Sequence, residues 1–292
     1  MMMTEQGTEL TMDSITNEPI TITNEPITNE EEQKSLLKKN KVIKREKKEK
    51  KIKSPKKEKE IKVKKEKEIK PGLKTYFSDN EQTLEIGVDE AGRGPMLGRV
   101  YAAAVILPKD TMNFDHSLMK DSKKFHSDKK IKEVAEYIKS KAIAWAVGYS
   151  TEQVIDKINI RNATHRAMHE AIREVIHKQA SEDPHVYHLL IDGNDFTPFN
   201  NISLQKGFVP VPSTCIEGGD NTYSAIAAAS ILAKVARDTY IEELCKEQPL
   251  LDEYYGILKN KGYGTKIHMD GIKQHGISEF HRKSFGICKQ YA

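Results

Sequence analysis

The sequence predicts an α/β domain with a mixed sheet flanked by helices, a helical C-terminal part and a disordered N-terminal tail. Between residues 84 and 216, short apolar runs bounded by glycine, proline or acidic residues alternate with segments of helical periodicity. After residue 223, helix-forming segments predominate. Strands that first alternate with helices and then give way to them are typical of a layered α/β domain. We expect this domain to occupy residues 73–292, a length within the range of ordinary single domains.

The first 72 residues form the predicted tail, which differs in composition from the rest of the chain. Residues 1–33 contain eight acids and no Lys or Arg, whereas residues 34–70 contain 19 Lys or Arg and six Glu. These segments contribute −8 and +13 to a total charge of +4, so the remaining residues carry a net −1. With so few apolar side chains, burial cannot offset the entropy lost on ordering the segment. The lysines are expected to act as a solvated spacer, to add non-specific nucleic-acid contacts or to form a nuclear address.

The folded part begins with two predicted strands, Leu84–Glu90 and Arg99–Leu107, because both runs are apolar and a turn containing Gly and Pro joins them. A helix is predicted over Asp128–Lys141, where apolar residues recur every three or four positions and Ser127 is the N-cap. The apolar run Ile143–Tyr149 then predicts a third strand.

Two helices and two strands complete the predicted sheet layer before the long C-terminal helix. Thr151 is the expected cap of a short helix, and a longer one follows over Arg161–Lys178. A fourth strand is predicted over Val186–Ile191. The segment Phe208–Ile216 is predicted as an edge strand, because its two prolines cannot donate to a central ladder. Tyr223–Glu247 is an uninterrupted helix-forming run whose first turns are small enough to lie close to a sheet.

Four acids lie beside glycines, close to the ends of predicted elements. Asp89 and Glu90 end the first strand region. Asp192 follows the fourth strand, and Asp220 precedes the long helix. Because ligands of open α/β sheets bind beyond strand ends, we expect these side chains to converge. Converging carboxylates repel unless a hard divalent cation such as Mg²⁺ or Mn²⁺ lies among them, which indicates metal-dependent phosphoryl transfer.

Each acid also has a purely structural interpretation. Asp192 with the following Gly is consistent with an ordinary turn, Asp220 with a helix cap, and Glu90 with a solvent-facing side chain. Asp89 is harder to explain in this way, because it ends a buried-looking strand and is followed at once by a second acid.

Other patterns favour neither a dinucleotide nor a zinc site. The glycines of segment 92–98 are spaced one residue too widely for a dinucleotide-binding turn, and a strand-like run follows them. His165 and His169 have a metal-compatible spacing, but without an HExxH pattern or a third ligand a surface or partly buried pair is favoured. The three cysteines are isolated and predict no disulfide framework. Tyr263, between two glycines, is either a surface aromatic or a residue that stacks on a sugar or base.

Six motifs, in the right order between about Leu84 and Phe285, resemble those of the ribonuclease HII family. They are DEAGRGPMLG at 89–98, DSKK at 121–124, LLIDGN at 189–194, GDNTYSAIAAASILAKVARD at 219–238, KGYGTKIH at 261–268 and HRKSF at 281–285. The resemblance implies an RNase H-like fold with a helical C-terminal part. It also implies cleavage of the RNA strand of RNA–DNA hybrids, including a single ribonucleotide in duplex DNA, with 5′-phosphate and 3′-hydroxyl products.

The resemblance further assigns roles to eight residues. The catalytic and metal-binding acids, with Mg²⁺ or Mn²⁺ as cofactor, would be Asp89, Glu90, Asp192 and Asp220. The substrate-binding residues would be Gly92, Arg93, Gly94 and Tyr263. In this family, backbone and Arg contacts read the ribose 2′-OH while Tyr stacks on the neighbouring deoxyribose, so the 2′-OH distinguishes RNA from DNA.

One position departs from the family pattern. The family usually has a lysine at the place of Gly218, so Lys206, Lys234 or a tail lysine is expected to supply that cation, or phosphate affinity is weaker. The related ribonuclease HIII type carries a folded N-terminal domain, which the low-complexity tail does not resemble. Two alternatives remain: a hybrid-binding module whose nuclease has decayed, and a metal-dependent nuclease of another substrate class on the same fold.

No run reaches the ~18 apolar residues of a membrane helix, and the N-terminus lacks a secretory pattern. We therefore expect an intracellular protein, cytoplasmic or nuclear, without membrane contact. We also expect a monomer whose partners are RNA–DNA hybrid and ribonucleotide-containing duplex DNA.

Overall fold

A five-stranded mixed sheet forms the framework of the computed structural model, which describes residues 72–179, 186–203 and 207–292. Its strands lie in the order β3-β2-β1-β4-β7, and a separate two-stranded hairpin pairs β5 with β6. The strands are β1 (Leu84–Ala91), β2 (Val100–Ile106), β3 (Ala144–Ser150), β4 (Tyr187–Asp192), β5 (Asn200–Ser203), β6 (Gly207–Pro210) and β7 (Ser213–Ile216).

The register of the central strand decides which residues share one edge of the sheet. β1 is antiparallel to β2, with Asp89 opposite Ala103, and parallel to β4, with Val88 opposite Ile191. Because β1 and β4 run in the same direction, Asp89 and Asp192 lie at the same end of adjacent strands. β7 extends the parallel part of the sheet and pairs Ile216 with Asp192.

Seven α-helices occur in the described residues. They are α1 (Asp128–Lys141), α2 (Glu152–Ile158), α3 (Ile160–Gln179), α4 (Ser224–Glu247), α5 (Leu250–Tyr255), α6 (Ile257–Asn260) and α7 (Lys266–His275). Three helices begin at a hydroxyl N-cap whose oxygen accepts a backbone N–H in the first turn: Ser127, Thr151 and Thr265. The described part of the chain contains no helix with the length and hydrophobicity needed to cross a membrane.

The helices cover both faces of the sheet. α3 packs against one face with an apolar stripe that includes Ala167, Ile172 and Val175. The first three turns of α4 cover the other face and are buried almost throughout, because their Ala side chains allow the helix to lie close to the strands. A separate apolar cluster joins the C-terminal helices to the end of α4 and includes Leu97 and Ile241.

The structure corrects one predicted element. The segment Phe208–Ile216 is not a single edge strand but two strands, β6 in the hairpin and β7 at the edge of the main sheet. The physical reason is that Pro210 and Pro212 have no N–H group to donate, so the ladder is interrupted between them and the chain passes from one sheet to the other. The carbonyl of Pro212 still accepts the Leu189 N–H at 2.8 Å.

The boundary between the tail and the folded domain stays a prediction. Residues 1–71 lie outside the described residues, so the tail predicted over 1–72 and its proposed roles are not described by the structure. The first described segment, which begins at Gly72, is tied to the residues just before α4 by a hydrogen bond of 2.8 Å from the Lys74 N–H to the Thr222 carbonyl.

Two buried histidines connect α7 to the C-terminal segment. His268 Nδ1 donates to the Tyr263 carbonyl at 3.0 Å, and the Ser278 N–H donates to His281 Nδ1 at 3.0 Å. The two Nε2 atoms lie 3.0 Å apart and share one proton, so both rings are neutral. Burial, followed by the proximity of His268, lowers the pKa of His281 to about 3.

This arrangement predicts acid sensitivity. The folded-state pKa of His281 lies below the ordinary value of 6.5, so the unfolded chain takes up the proton more readily and stability falls as the pH drops below about 6.5. Between pH 7 and pH 5 we expect His281 to contribute a loss of about 2 kcal/mol to the unfolding free energy, which buried carboxyls with raised pKa values, such as Asp89, partly offset. Urea unfolding at both pH values checks this. His281→Gln should reduce the loss, whereas the exposed control His126→Gln should not; equal losses in wild type and His281→Gln would contradict the prediction.

Candidate active site

Asp89 and Glu90 lie at the end of the central strand. Asp89 is buried, its Oδ1 accepts the Glu90 N–H at 2.7 Å, and the nearby Ser230 hydroxyl of α4 acts to lower its pKa. Glu90 points the other way along the pleat and lies 3.4 Å from the Arg93 guanidinium. The alternation of a strand therefore places one acid against α4 and the other against the following loop.

Asp192 and Asp220 are tied together by backbone hydrogen bonds. Asp192 Oδ1 accepts the Gly219 N–H at 2.7 Å and lies 3.4 Å from the Asp220 N–H. Asp220 is buried in a short 3₁₀ helix, Gly219–Asn221, and its Oδ1 accepts from the Asn221 side-chain amide at 2.8 Å. The residue that ends β4 thus holds the segment that leads into α4.

The four acids influence one another electrostatically. Burial, then Glu90 and Asp192, raise the pKa of Asp89 well above its usual range. Burial and Asp192 also raise the pKa of Glu90, although Arg93 opposes this shift. Burial, followed by Asp192, raises the pKa of Asp220. Asp192 therefore lies close enough to each of the other acids for its charge to disfavour their ionisation.

The structure places these acids at one edge but does not arrange them as a finished set of ligands. No group of three or more His, Cys, Asp or Glu side chains within the described ranges has the disposition of a metal site. Each of the four acids has an oxygen in a hydrogen bond inside the protein. The side chains nevertheless fit a divalent cation in chemistry, since all donors are hard oxygens and their mutual repulsion leaves negative charge to be neutralised.

A lysine that sequence reasoning left without a role lies beside the acids. Lys123 belongs to the 3₁₀ helix Ser122–Lys124 within the DSKK motif. Burial by itself lowers the pKa of Lys123, but the surrounding acids outweigh this and raise it; they are Asp121, Asp220, Asp89 and Asp192. The only sequence signal for Lys123 was the DSKK motif itself. This motif has no strand or helix periodicity from which its position in the fold could be predicted.

Lys123 is a candidate to replace the lysine that the family usually has at the position of Gly218. Of the three lysine sources predicted from the sequence, Lys234 forms an ion pair with Asp238 on its own helix, while Lys206 and the tail lie outside the described residues. Gly218 has a left-handed conformation with a φ of 65°, and no atom lies within 4 Å of where its Cβ would be. A lysine at that position would have room but an unfavourable backbone conformation.

The four predicted substrate-binding residues come together from opposite ends of the domain. Gly92, Arg93 and Gly94 form the loop after β1, and Tyr263 follows α6. A Cβ on Gly94 would lie 3.3 Å from the Tyr263 ring, so loop and ring are in near contact. The Tyr263 ring is half exposed, as is the Arg93 side chain. Both side chains face solvent beside the sheet edge at which the acids lie.

His165 and His169 form the partly buried pair that the sequence predicts. His165 Nδ1 accepts the Thr197 N–H at 3.2 Å, and His169 Nε2 donates to the Thr197 carbonyl at 2.8 Å. Burial lowers the pKa of both histidines. Their role is to hold the loop that follows β4 against α3.

Comparison with known proteins identifies the relatives of this chain. The family model described as Ribonuclease HII matches residues 86–288. Ribonuclease HII of Parabacteroides distasonis is 48% identical over 207 residues, which cover 71% of this chain and 92% of that protein. Ribonuclease HII of Alkaliphilus oremlandii is 44% identical over 198 residues, covering 68% and 87%.

Solved structures share the fold. Ribonuclease H2 from Pyrococcus horikoshii OT3 superposes with a TM-score of 0.55 at 19% identity, covering 71% of this chain and 96% of that chain. A complex of Bst-RNase HIII with Mn²⁺ superposes with a TM-score of 0.54 at 19% identity, covering 72% and 69%. The predicted fold class, a mixed sheet with flanking helices of the RNase H type, is therefore confirmed.

Proposed function

The chain belongs to the ribonuclease HII family and is a ribonuclease H that acts on RNA–DNA hybrids, and we propose that it also incises duplex DNA 5′ of embedded ribonucleotides. The products would carry 5′-phosphate and 3′-hydroxyl ends. The observation that carries this proposal is the meeting of Asp89, Glu90, Asp192 and Asp220 at one sheet edge, beside a loop and a tyrosine that face solvent.

The four acids are the proposed holders of a divalent metal, Mg²⁺ or Mn²⁺. Bound there, the metal would activate water for attack on the scissile phosphodiester and stabilise the leaving oxygen. The protein prepares this chemistry by holding carboxyl groups so close together that they need a cation to stay ionised: burial and like charges raise the pKa values of Asp89 and Asp220. Lys123, whose pKa the surrounding acids raise, would balance the charge of an approaching phosphate.

Recognition of the ribonucleotide is assigned to the 92–94 loop and Tyr263. The 2′-OH is the group by which a protein distinguishes RNA from DNA at a given position, and it both donates and accepts hydrogen bonds. Glycine at position 94 leaves the space beside the Tyr263 ring free of a side chain, and glycine at position 92, with a φ of 93°, lets the loop pack directly on Arg237. Arg93 reaches solvent beside Glu90, and the exposed Tyr263 ring offers a surface for the adjacent deoxyribose.

The exposed side chains of Arg93 and Tyr263 beside the acids favour a duplex rather than a small molecule as substrate. Three cavities of about 580, 490 and 360 Å³ in the described residues are lined by residues other than the four acids. Small-molecule sites are usually enclosed clefts, whereas nucleic-acid backbones bind along exposed charged edges.

A single-turnover cleavage assay tests the proposal. The substrates are a DNA duplex with one ribonucleotide, the same duplex without it, and a continuous RNA–DNA hybrid. We expect cleavage of the first and third with Mg²⁺ or Mn²⁺, no cleavage of the second, and loss of all cleavage in EDTA. Product ends are read by whether a ligase and a polymerase accept them. Cleavage in EDTA would overturn the metal mechanism, and binding without turnover under either ion would favour the decayed hybrid-binding module.

A further inference from the structure

Arg282, within the HRKSF motif, is wholly buried and holds the loop that follows β1. Its Nη2 donates to the Gly92 carbonyl at 2.6 Å and to the Arg99 carbonyl at 3.2 Å. Its Nη1 donates to the Arg93 carbonyl at 2.9 Å, and its Nε donates to the Gly98 carbonyl at 2.8 Å. One planar guanidinium therefore binds both ends of the loop, and two of the residues that it binds, Gly92 and Arg93, are proposed to contact the ribose 2′-OH.

The hydrogen-bond donors of Arg282 are occupied by backbone carbonyls and not by a carboxylate, although the charges of Glu152 and Asp156 also favour its cation. Its side chain is 0% exposed, and none of the described acids forms an ion pair with it. A buried cation without a carboxylate is costly unless hydrogen bonds occupy its donors. The loop must therefore present its four carbonyls to one point. A lysine could not replace this contact, because its ammonium concentrates three donors on one atom and lacks the planar fork.

Arg237, on α4, lies between the loop and Tyr263. It is buried, and its Nη2 donates to the Lys261 carbonyl at 2.6 Å, two residues before the tyrosine. Its guanidinium carbon lies 5.9 Å from the centre of the Tyr263 ring. A Cβ built on Gly92 would lie 2.5 Å from Arg237 Nε, so the glycine is in direct contact with this side chain.

Backbone hydrogen bonds join the same two elements. The Met96 N–H donates to the Gly262 carbonyl at 2.9 Å, and the Arg282 N–H donates to the Met96 carbonyl at 2.8 Å. The near contact between Gly94 and the Tyr263 ring closes the arrangement on the solvent side. The loop and the tyrosine thus belong to one unit with two buried arginines beneath it.

We propose that Arg282 and Arg237 are positioning residues that hold the 92–94 loop and Tyr263 at a fixed separation and thereby decide which phosphodiester is cut. This inference rests on the proposed function, in which that loop and Tyr263 read a ribose and its neighbouring deoxyribose. Because the loop and Tyr263 bind two neighbouring sugars at a fixed separation, they select one position along the nucleic-acid strand. If the separation varies, the junction is recognised less sharply, although the acids still cut.

The test is the pattern of cuts on one labelled strand that has an RNA tract followed by DNA, paired with complementary DNA. For wild type we expect cuts concentrated at the RNA–DNA junction. For Arg282→Lys and Arg237→Lys we expect the ratio of junction cuts to cuts inside the RNA tract to fall by at least about tenfold, because small misplacements of positioning groups cost much of the rate. The ratio does not depend on how much of the enzyme is folded.

A destabilised control separates positioning from folding. Ile138→Ala removes a buried side chain of α1, which packs with the first turns of α4 in a cluster that contains neither the 92–94 loop nor Tyr263, and should lower the melting temperature without changing the cut pattern. All variants are assayed well below their melting temperatures. If both arginine variants keep the wild-type ratio, or if Ile138→Ala changes it equally, the positioning role is wrong. If wild type itself shows no preference for the junction, the proposed function fails instead.

Discussion

Asp89→Asn is expected to reduce kcat on an RNA–DNA hybrid by about 10²–10³-fold or more, the range found when one preorganised electrostatic group is removed from an active site. Asp89 is the most buried acid at the end of the central strand, and its charge is repelled by Glu90 and Asp192. Asn keeps the shape and can still accept the Glu90 N–H, but it removes the negative charge that a metal requires.

The same substitution should not destabilise the metal-free protein. Because the pKa of Asp89 is raised, its ionised form costs folding free energy at neutral pH, and a neutral amide removes that cost. We therefore expect a melting temperature in EDTA equal to or above that of wild type. Addition of Mn²⁺ should raise the melting temperature of wild type more than that of Asp89→Asn, since only ligands that bind the folded state stabilise it.

Glu85→Gln is the matched control for this experiment. Glu85 is a buried carboxylate on the same strand, but it lies at the opposite end and accepts the N–H groups of Phe77 and Ser78. Its replacement should leave the response to Mn²⁺ and kcat close to wild type. Retention of more than about a tenth of the wild-type kcat by Asp89→Asn would be too small a loss for a metal ligand and would contradict the assignment.

Gly87→Ala is expected to destabilise the domain by about 3 kcal/mol or more, which is at the upper end for overpacking of a core. A Cβ on Gly87 would lie 2.2 Å from the carbonyl carbon of Ala225 and 2.5 Å from the Ile226 nitrogen. Both atoms belong to the backbone of α4, so no side-chain rotation relieves the clash and the helix must move away from the sheet. The neighbouring Ala contacts would then be lost along its first turns.

Urea unfolding measures this effect, and Gly72→Ala is the control. At Gly72 no atom lies within 4 Å of the position of a Cβ, so the free energy of unfolding should change by less than about 0.5 kcal/mol. A loss below about 1 kcal/mol in Gly87→Ala would show that α4 can shift at little cost. The close approach of helix and strand would then not be a requirement of the fold.

The elements predicted from sequence agree best where the signal is local. The α1 helix begins at Asp128 and ends at Lys141, as predicted, because a Ser N-cap and an apolar period lie within the same 15 residues. The hairpin strand β5 was not predicted, and the segment after it was predicted as one strand. A hairpin of two short strands carries little periodicity, and the passage from one sheet to another depends on partners that are distant in sequence.

The site shows the same division. The motifs singled out the four acids, the 92–94 loop and Tyr263, and the structure brings their elements to one edge; their roles stay predictions. The motifs also contained Lys123, Arg237 and Arg282 but assigned them nothing. In a sequence an arginine is expected at the surface, since a charged side chain is rarely buried without partners. The partners of Arg282 are backbone carbonyls between 183 and 190 positions away.

By itself, the sequence determined the fold class, the helices with strong caps and the family of this protein, because these depend on local periodicity and on the order of motifs. Only the tertiary structure decided which buried groups meet: a guanidinium against four carbonyls, a glycine against the backbone of α4, and a lysine among acids. Such contacts depend on geometry between distant segments, and the energy of a buried charge depends on every dipole around it. Residue type and spacing in the sequence do not specify the groups that surround a buried charge.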